Sequence, residues 1–249
     1  MKHILLTVAY DGTFYHGWQR QKNQITVQEA IESCLTRMFN QKISIRGASR
    51  TDAGVHAKGQ RALFSVDTTI PVEKLPLAIN NTLPGAIRII KAREVCSSFH
   101  PQFSALSKSY CYSIYNRSII DPVYNNYAWH VKSNLKIDLM KKAAESLIGE
   151  KDFKAFQAVG SGTKTTVRTI YRVNIENRDN IINIHIVGNG FLYNMVRIIS
   201  GTLAYVGYGK LQPDDMEKII LSKNRAEAGI TAPPQGLSLL EINYADESP

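Results

Sequence analysis

Between residues 191 and 205 the chain reads FLYNMVRIISGTLAY, a run of helix length that is apolar on nearly every side and carries one charge, Arg197. A helix without a polar face has to be surrounded by other elements, so the chain must fold in layers that cover this segment. It is not read as a membrane span. A central Arg costs about 2.5–3.5 kcal/mol on insertion, and Asn194 and Gly207 interrupt the apolar stretch. A buried guanidinium needs a carboxylate, because an uncompensated buried charge is strongly destabilising. The acids of the second half sit on amphipathic helices or near the C-terminus. The partner is therefore expected from the first half, which would place the pair in a cleft between two domains.

The chain has 249 residues, enough for two modest domains or one large one. Hydrophobic residues make up 44%, which supplies a real core and argues against disorder. The net charge is +9. Residues 1–100 hold 13 basic and 7 acidic side chains, and the rest hold 17 and 14. An excess concentrated in the first part fits a polyanion such as nucleic acid, and also fits plain solubility. Cys34, Cys96 and Cys111 form neither a disulfide framework nor a zinc pattern, and the six His residues contain no HxxxH pair. Reduced thiols and no structural metal are expected. The start, MKHILLTVAYDG, lacks the length and cleavage site of a secretory signal.

Periodicity places the elements. Residues 3–10 read as a buried strand broken by Asp11-Gly12. Thr26-x-x-Glu29 is a capping box, and Val27, Ala30, Ile31, Cys34, Leu35, Met38 and Phe39 then form one apolar stripe of a helix over 26–40. Cys34 is accordingly a core residue. Strands are expected at 43–47, 60–67 and 87–93, with a Pro-bounded helix over 72–82. That order is β-α-β-β-α-β, a ferredoxin-like unit. The loop-like stretch 97–107 sets the boundary between an N-terminal domain over 1–104 and a C-terminal domain over 105–249. The second half opens with an alternating strand at 109–115 and continues with a strand at 127–132. A helix capped by Asp138 follows, then a flexible basic loop at 160–164. A hairpin over 169–176 and 181–187, the apolar helix, a helix over 214–222 and a strand over 236–243 complete it. The fold class is α+β, with two such domains and mainly antiparallel sheets.

Two segments could carry chemistry. Residues 11–22 (DGTFYHGWQRQK) set Phe14, Tyr15 and Trp18 beside His16, Arg20 and Lys22. Rings can stack on bases and cations can pair with phosphates, so the loop suits nucleic acid; a core-covering loop is the equal alternative. Residues 48–57 (ASRTDAGVHA) put a carboxylate, a hydroxyl, a guanidinium and an imidazole in one structured turn. Asp52 there either satisfies nearby amides or acts as a reactive group. An Arg partner would favour the ionised carboxylate that a nucleophile or base requires. His56 reads as a turn-stabilising residue.

The string SRTDAGVHA at 49–57 closely resembles the GRTDAGVHA signature of the TruA family of tRNA pseudouridine synthases. AYDGTFYHGWQRQ, KSYCYSIY, FLYNMVRIISG and GLSL match further family segments in the same order. One departure is Ser49 where many members have Gly. The resemblance implies an isomerase that converts uridine to pseudouridine at positions 38, 39 and 40 of the tRNA anticodon stem-loop. It places the catalytic Asp at Asp52, the base-contacting Tyr at Tyr110 and the buried Arg at Arg197. Arg50 becomes the residue that helps hold the target nucleotide out of the stem. It also implies no cofactor or metal and a homodimer with tRNA bound across both subunits; the reduced thiols point to the cytoplasm, and the interrupted apolar run to no membrane. A hydrolase using Asp52 and His56 would need a second acid or a metal set, and an RNA-recognition module would need an aromatic RNP1 string. Neither is found. A duplicated member with a shifted RNA target stays open.

Overall fold

A computed structural model of the chain describes residues 1–160 and 162–245; Ser161, in the loop expected at 160–164, lies outside them. The elements in chain order are β1 (Lys2–Tyr10), α1 (Val27–Phe39), β2 (Arg46–Gly47), β3 (His56–Val66), α2 (Leu75–Asn80) and β4 (Ile87–Val95). They continue with β5 (Ala105–Asn116), β6 (Trp129–Val131), α3 (Ile137–Glu145), β7 (Gly149–Asp152), β8 (Val167–Arg178) and β9 (Ile181–Gly188). Last come α4 (Met195–Gly207), α5 (Asp215–Ser222) and β10 (Leu237–Tyr244). Among the described residues, no helix is long and apolar enough to cross a membrane.

The chain divides into two compact units. One runs from Met1 to Leu106 and also takes the segment beginning at Leu239; the other is Ser107–Ser238. The expectation that everything after residue 104 belongs to the second domain therefore needs correction. The last strand returns to the first unit, where β10 is the neighbour of β3. Backbone proximity explains the return. Gly59 lies so close to the Leu240 carbonyl that a Cβ would overlap it. The Tyr244 hydroxyl donates to the Pro101 carbonyl at 2.7 Å, and the Tyr244 ring packs on Phe99. Such contacts leave no local signal in the sequence.

In the first unit the sheet order is β4-β1-β3-β10, with the two-residue β2 on β3. β1 pairs antiparallel with both β3 and β4. Ile4, Leu5, Leu6 and Val8 of β1 are buried together with Ile31, Cys34 and Leu35 of α1. α1 starts as its capping residue predicts, with the Glu29 N–H donating to Thr26 Oγ1 at 3.3 Å, and ends at Asn40 in the left-handed region. Cys34 is a core residue, 1% exposed. α1 also buries two polar residues that the apolar stripe did not reveal. Glu32 Oε1 accepts from Gln28 Nε2 and from the Ile45 N–H, each at 3.0 Å, which fastens segment 43–45 to the helix. The strand expected at 43–47 consequently shrinks to Arg46–Gly47, because side chains rather than a ladder satisfy part of its backbone.

In the second unit the order is β5-β9-β8-β7, antiparallel throughout, and β6 adds to β5 in parallel. The β8–β9 hairpin turns through Asp179 (φ 52°) and Asn180 (φ 66°), a two-residue turn whose twist suits the flanking strands. Ile182, Ile184 and Ile186 on β9 alternate into the core, and α3 packs against α4. Two expectations shift. α3 is capped at Lys136 rather than Asp138. The apolar helix begins at Met195 because Asn194 is left-handed (φ 60°), so residues 191–194 form the approach to α4 and not its first turn.

Candidate active site

The turn carrying Asp52 lies between β2 and β3 and is held from three directions within the first unit. From its own strand, buried Gln60 donates through Nε2 to the Ser49 carbonyl at 2.7 Å and accepts the Ser49 N–H at 3.2 Å. The side-chain amide thus stands in for a neighbouring strand. Ser49 has no positive φ, so the residue found here in place of the family's Gly fits without strain. From below, Tyr10 at the end of β1 shares a 2.8 Å hydrogen bond with Thr51 Oγ1. From the side comes the 11–18 loop. The Trp18 N–H donates to the Thr51 carbonyl at 3.1 Å, and the Gly54 N–H donates to the Tyr15 carbonyl at 3.2 Å. The turn closes on itself through Val55 N–H to Asp52 O at 3.1 Å, with Gly54 left-handed at φ 77°.

Glycine is required where the two loops meet. A Cβ at Gly12 would overlap the Val55 carbonyl, and one at Gly17 would overlap the Thr51 carbonyl. Gly17 also has φ 81°, which L side chains rarely adopt. His56 fastens the same seam: its Nδ1 accepts the Gly12 N–H at 3.1 Å and lies 3.2 Å from Asp11 Oδ1. That geometry suits the turn-stabilising role expected for it.

These contacts sort the aromatic-basic loop into two sets. Trp18 and Tyr15 are buried, so they brace the turn. Arg20 is engaged with Glu32 at 3.0 Å. Phe14, His16, Lys22 and Arg50 are exposed, while Asp52 is half-buried.

Tyr110 and Arg197 belong to the second unit. Tyr110 on β5 pairs in register with Ile186 and is 5% exposed; its ring meets Phe191 edge-on at 5.1 Å. Arg197, the third residue of α4, is half-buried rather than sealed in apolar surroundings. Its Nε donates to the Ala232 carbonyl and its Nη1 to Asn194 Oδ1, both at 2.8 Å, while its own carbonyl accepts the Ala232 N–H at 3.2 Å. Segment 229–232 lies so tightly on α4 that a Cβ at Gly201 would overlap the Ile230 carbonyl. Neutral acceptors thus take part of its hydrogen-bonding load.

Lys108, two residues before Tyr110 on the same strand face, was not singled out by the sequence reading. Burial, and secondarily the Arg168 guanidinium, push its ammonium from 10.5 down to about 8. Burial conversely raises the Tyr112 hydroxyl, partly offset by Arg197. Between pH about 8 and 10 the unfolded chain holds a proton on Lys108 that the folded one has lost, so stability rises with pH there. Above the ordinary tyrosine value the sign reverses, because only the unfolded Tyr112 ionises. Unfolding free energies from urea titrations near pH ~7.5 and ~9.5 should differ by about 1–3 kcal/mol more in the wild type than in Lys108→Met. Equal pH dependence in both would remove Lys108 as the cause. Among the described residues, no group of three or more His, Cys, Asp or Glu could hold a metal ion.

The tRNA pseudouridine synthase family matches residues 6–104 and 143–245, and the chain belongs to it. It is an isomerase that acts on uridine in tRNA. At the level of individual relatives, tRNA pseudouridine synthase A of Thermoanaerobacter sp. (strain X514) is 51% identical over 244 residues, covering 98% of this chain and 100% of that one. The protein of the same name from Ruminiclostridium cellulolyticum is 49% identical over 245 residues, covering 98% and 100%. tRNA pseudouridine synthase A 2 of Clostridium tetani is 46% identical over 245 residues, covering 98% and 99%. Among solved structures, an archaeal box H/ACA Nop10–Cbf5 complex overlaps 94% of this chain and 46% of the other at a TM-score of 0.39 and 8% identity, too loosely to bear on the site.

Proposed function

We propose that the protein isomerises uridine to pseudouridine at positions 38, 39 and 40 of the tRNA anticodon stem-loop, with Asp52 as the catalytic carboxylate. The observation that carries this is the Asp52 turn itself, a half-buried acid on a backbone fixed by Gln60, Tyr10, Tyr15 and Trp18. A reacting group needs that degree of preorganisation. Breaking the N1–C1′ bond and joining C5 to C1′ conserves atoms and oxidation state. An acid that attacks ribose or base, or removes the C2′ proton, therefore suffices without an external co-reactant.

The remaining assignments belong to the same reading. Tyr110 offers a ring to the freed uracil and a hydroxyl for proton movement at C5. Arg50, exposed beside the turn, grips the backbone of a nucleotide that has left the stem, offsetting a flipping cost of a few kcal/mol. Arg197 favours the ionised form of Asp52; support comes from its charge, which the neutral acceptors Ala232 O and Asn194 Oδ1 orient but do not cancel. A cytoplasmic homodimer with tRNA bound across both subunits completes the reading; the similarity to the relatives above supports tRNA as the substrate.

Mapping pseudouridine in total tRNA from cells lacking the gene, and from cells complemented with it, tests the target. Loss and return of the modification at positions 38–40 is expected. Loss at other tRNA positions would replace the anticodon stem-loop assignment.

A further inference from the structure

Phe14 is 79% exposed, yet it sits on a loop that is hydrogen-bonded on both sides of it. The Tyr15 N–H donates to the Gly12 carbonyl at 3.0 Å, closing a turn with Thr13 and Phe14 at its tip. Asp11 Oδ1 accepts the Thr13 N–H at 3.0 Å and the Thr13 hydroxyl at 2.5 Å, which locks the entry to that turn. The exit is locked as well, since the residue after Phe14 accepts the Gly54 N–H, two positions beyond Asp52. The neighbouring aromatics, Tyr15 and Trp18, are buried and account for the packing of the loop. Phe14 contributes little to that packing, so its exposure is left without a folding reason. Exposed His16 and Arg50 lie on either side of this seam in the chain.

A rigidly presented ring on a loop clamped to the Asp52 turn fits a nucleobase better than any other partner, because every base has a π face and the exposed Arg50 suits its phosphate. We propose that Phe14 binds the tRNA substrate by stacking on a base that neighbours the target uridine once that uridine has left the stem. This rests on Asp52 being the reacting group. Flipping one nucleotide exposes the faces of its neighbours, and a ring fixed one residue before Tyr15, whose carbonyl meets the Asp52 turn, can cover one of them. Because the turn is preformed, the contact costs little ordering on binding.

The test uses the full chain and a full-length tRNA transcript carrying uridine at position 39. Phe14→Ala should lower kcat/KM by about 10-fold, chiefly through KM, with an unchanged Tm. Phe14→Tyr and Phe14→Trp should stay within about threefold of wild type, whereas Phe14→Leu should resemble Phe14→Ala, since it keeps apolar bulk but loses the π face. Full activity in Phe14→Ala would overturn the proposal. So would equal rescue by Leu and Tyr, or a fall in Tm that tracks the loss of activity. Failure of the Asp52 reading shows separately, as turnover by Asp52→Asn in the same assay.

Discussion

Asp52→Asn is expected to lower pseudouridine formation by at least about 10⁴-fold, the scale seen when a reacting side chain is removed. Tm should not change, and tRNA binding should stay within a few-fold. The substitution keeps the shape of the side chain and spares the backbone hydrogen bond from Val55 N–H to the residue 52 carbonyl. It also leaves the Gln60, Tyr10 and Trp18 contacts to the flanking residues untouched. The turn therefore survives, and what is lost is the charge. Single-turnover assays on a tRNA with uridine at position 39, beside a binding isotherm, separate the two effects. Substantial turnover would remove Asp52 from the chemistry.

The second large effect should come from a residue with no chemistry at all. Gly17→Ala forces a Cβ into the Thr51 carbonyl and onto a backbone at φ 81°. The conformational cost alone is about 1–2 kcal/mol, and the overlap must displace either the 11–18 loop or the Asp52 turn. A total destabilisation of about 2–4 kcal/mol is expected, with a Tm lower by roughly 5–12 °C. At temperatures where the variant stays folded, kcat should still fall by about 10²-fold, because a small misplacement of the reacting carboxylate is amplified in the barrier. Gly85→Ala is the matched control: nothing lies within 4 Å of its Cβ position, and it should change neither quantity. If Gly17→Ala matched that control, the inter-loop seam would not be what positions Asp52.

Elements whose signal is local were legible before any coordinates. The stripe from Val27 to Phe39 and Thr26 at its head define α1, and the alternation across residues 169–187 defines the β8–β9 hairpin. The SRTDAGVHA string pointed to the right family because a family signature can be read from a short contiguous segment. Other features were not legible. That Phe14 faces outward while Tyr15 and Trp18 face inward follows from backbone bonds to residues 51 and 54, more than thirty positions away. No periodicity within DGTFYHGW could sort them. Gln60 reads as one more polar residue in a strand, and only its bonds to Ser49 show that it carries the turn.

The apolar run around Arg197 illustrates the division. Its composition alone required burial, and α4 is buried along nearly its whole length. Composition also suggested that the guanidinium would be sealed in, because hydropathy averages over a helix and cannot see a gap in what covers it. The fold instead brings segment 229–232 across α4, where the Ala232 carbonyl and Asn194 meet the charge, and leaves Arg197 half-exposed. Sequence by itself determined which residues must be inside and to which family the chain belongs, since both depend on side-chain type and near neighbours. Tertiary structure decided how the Asp52 turn is clamped, which ring of the aromatic loop is exposed, and to which unit the last strand returns. Those outcomes depend on close backbone approaches between distant segments, which hydrogen-bond geometry and excluded volume settle only once the chain has closed.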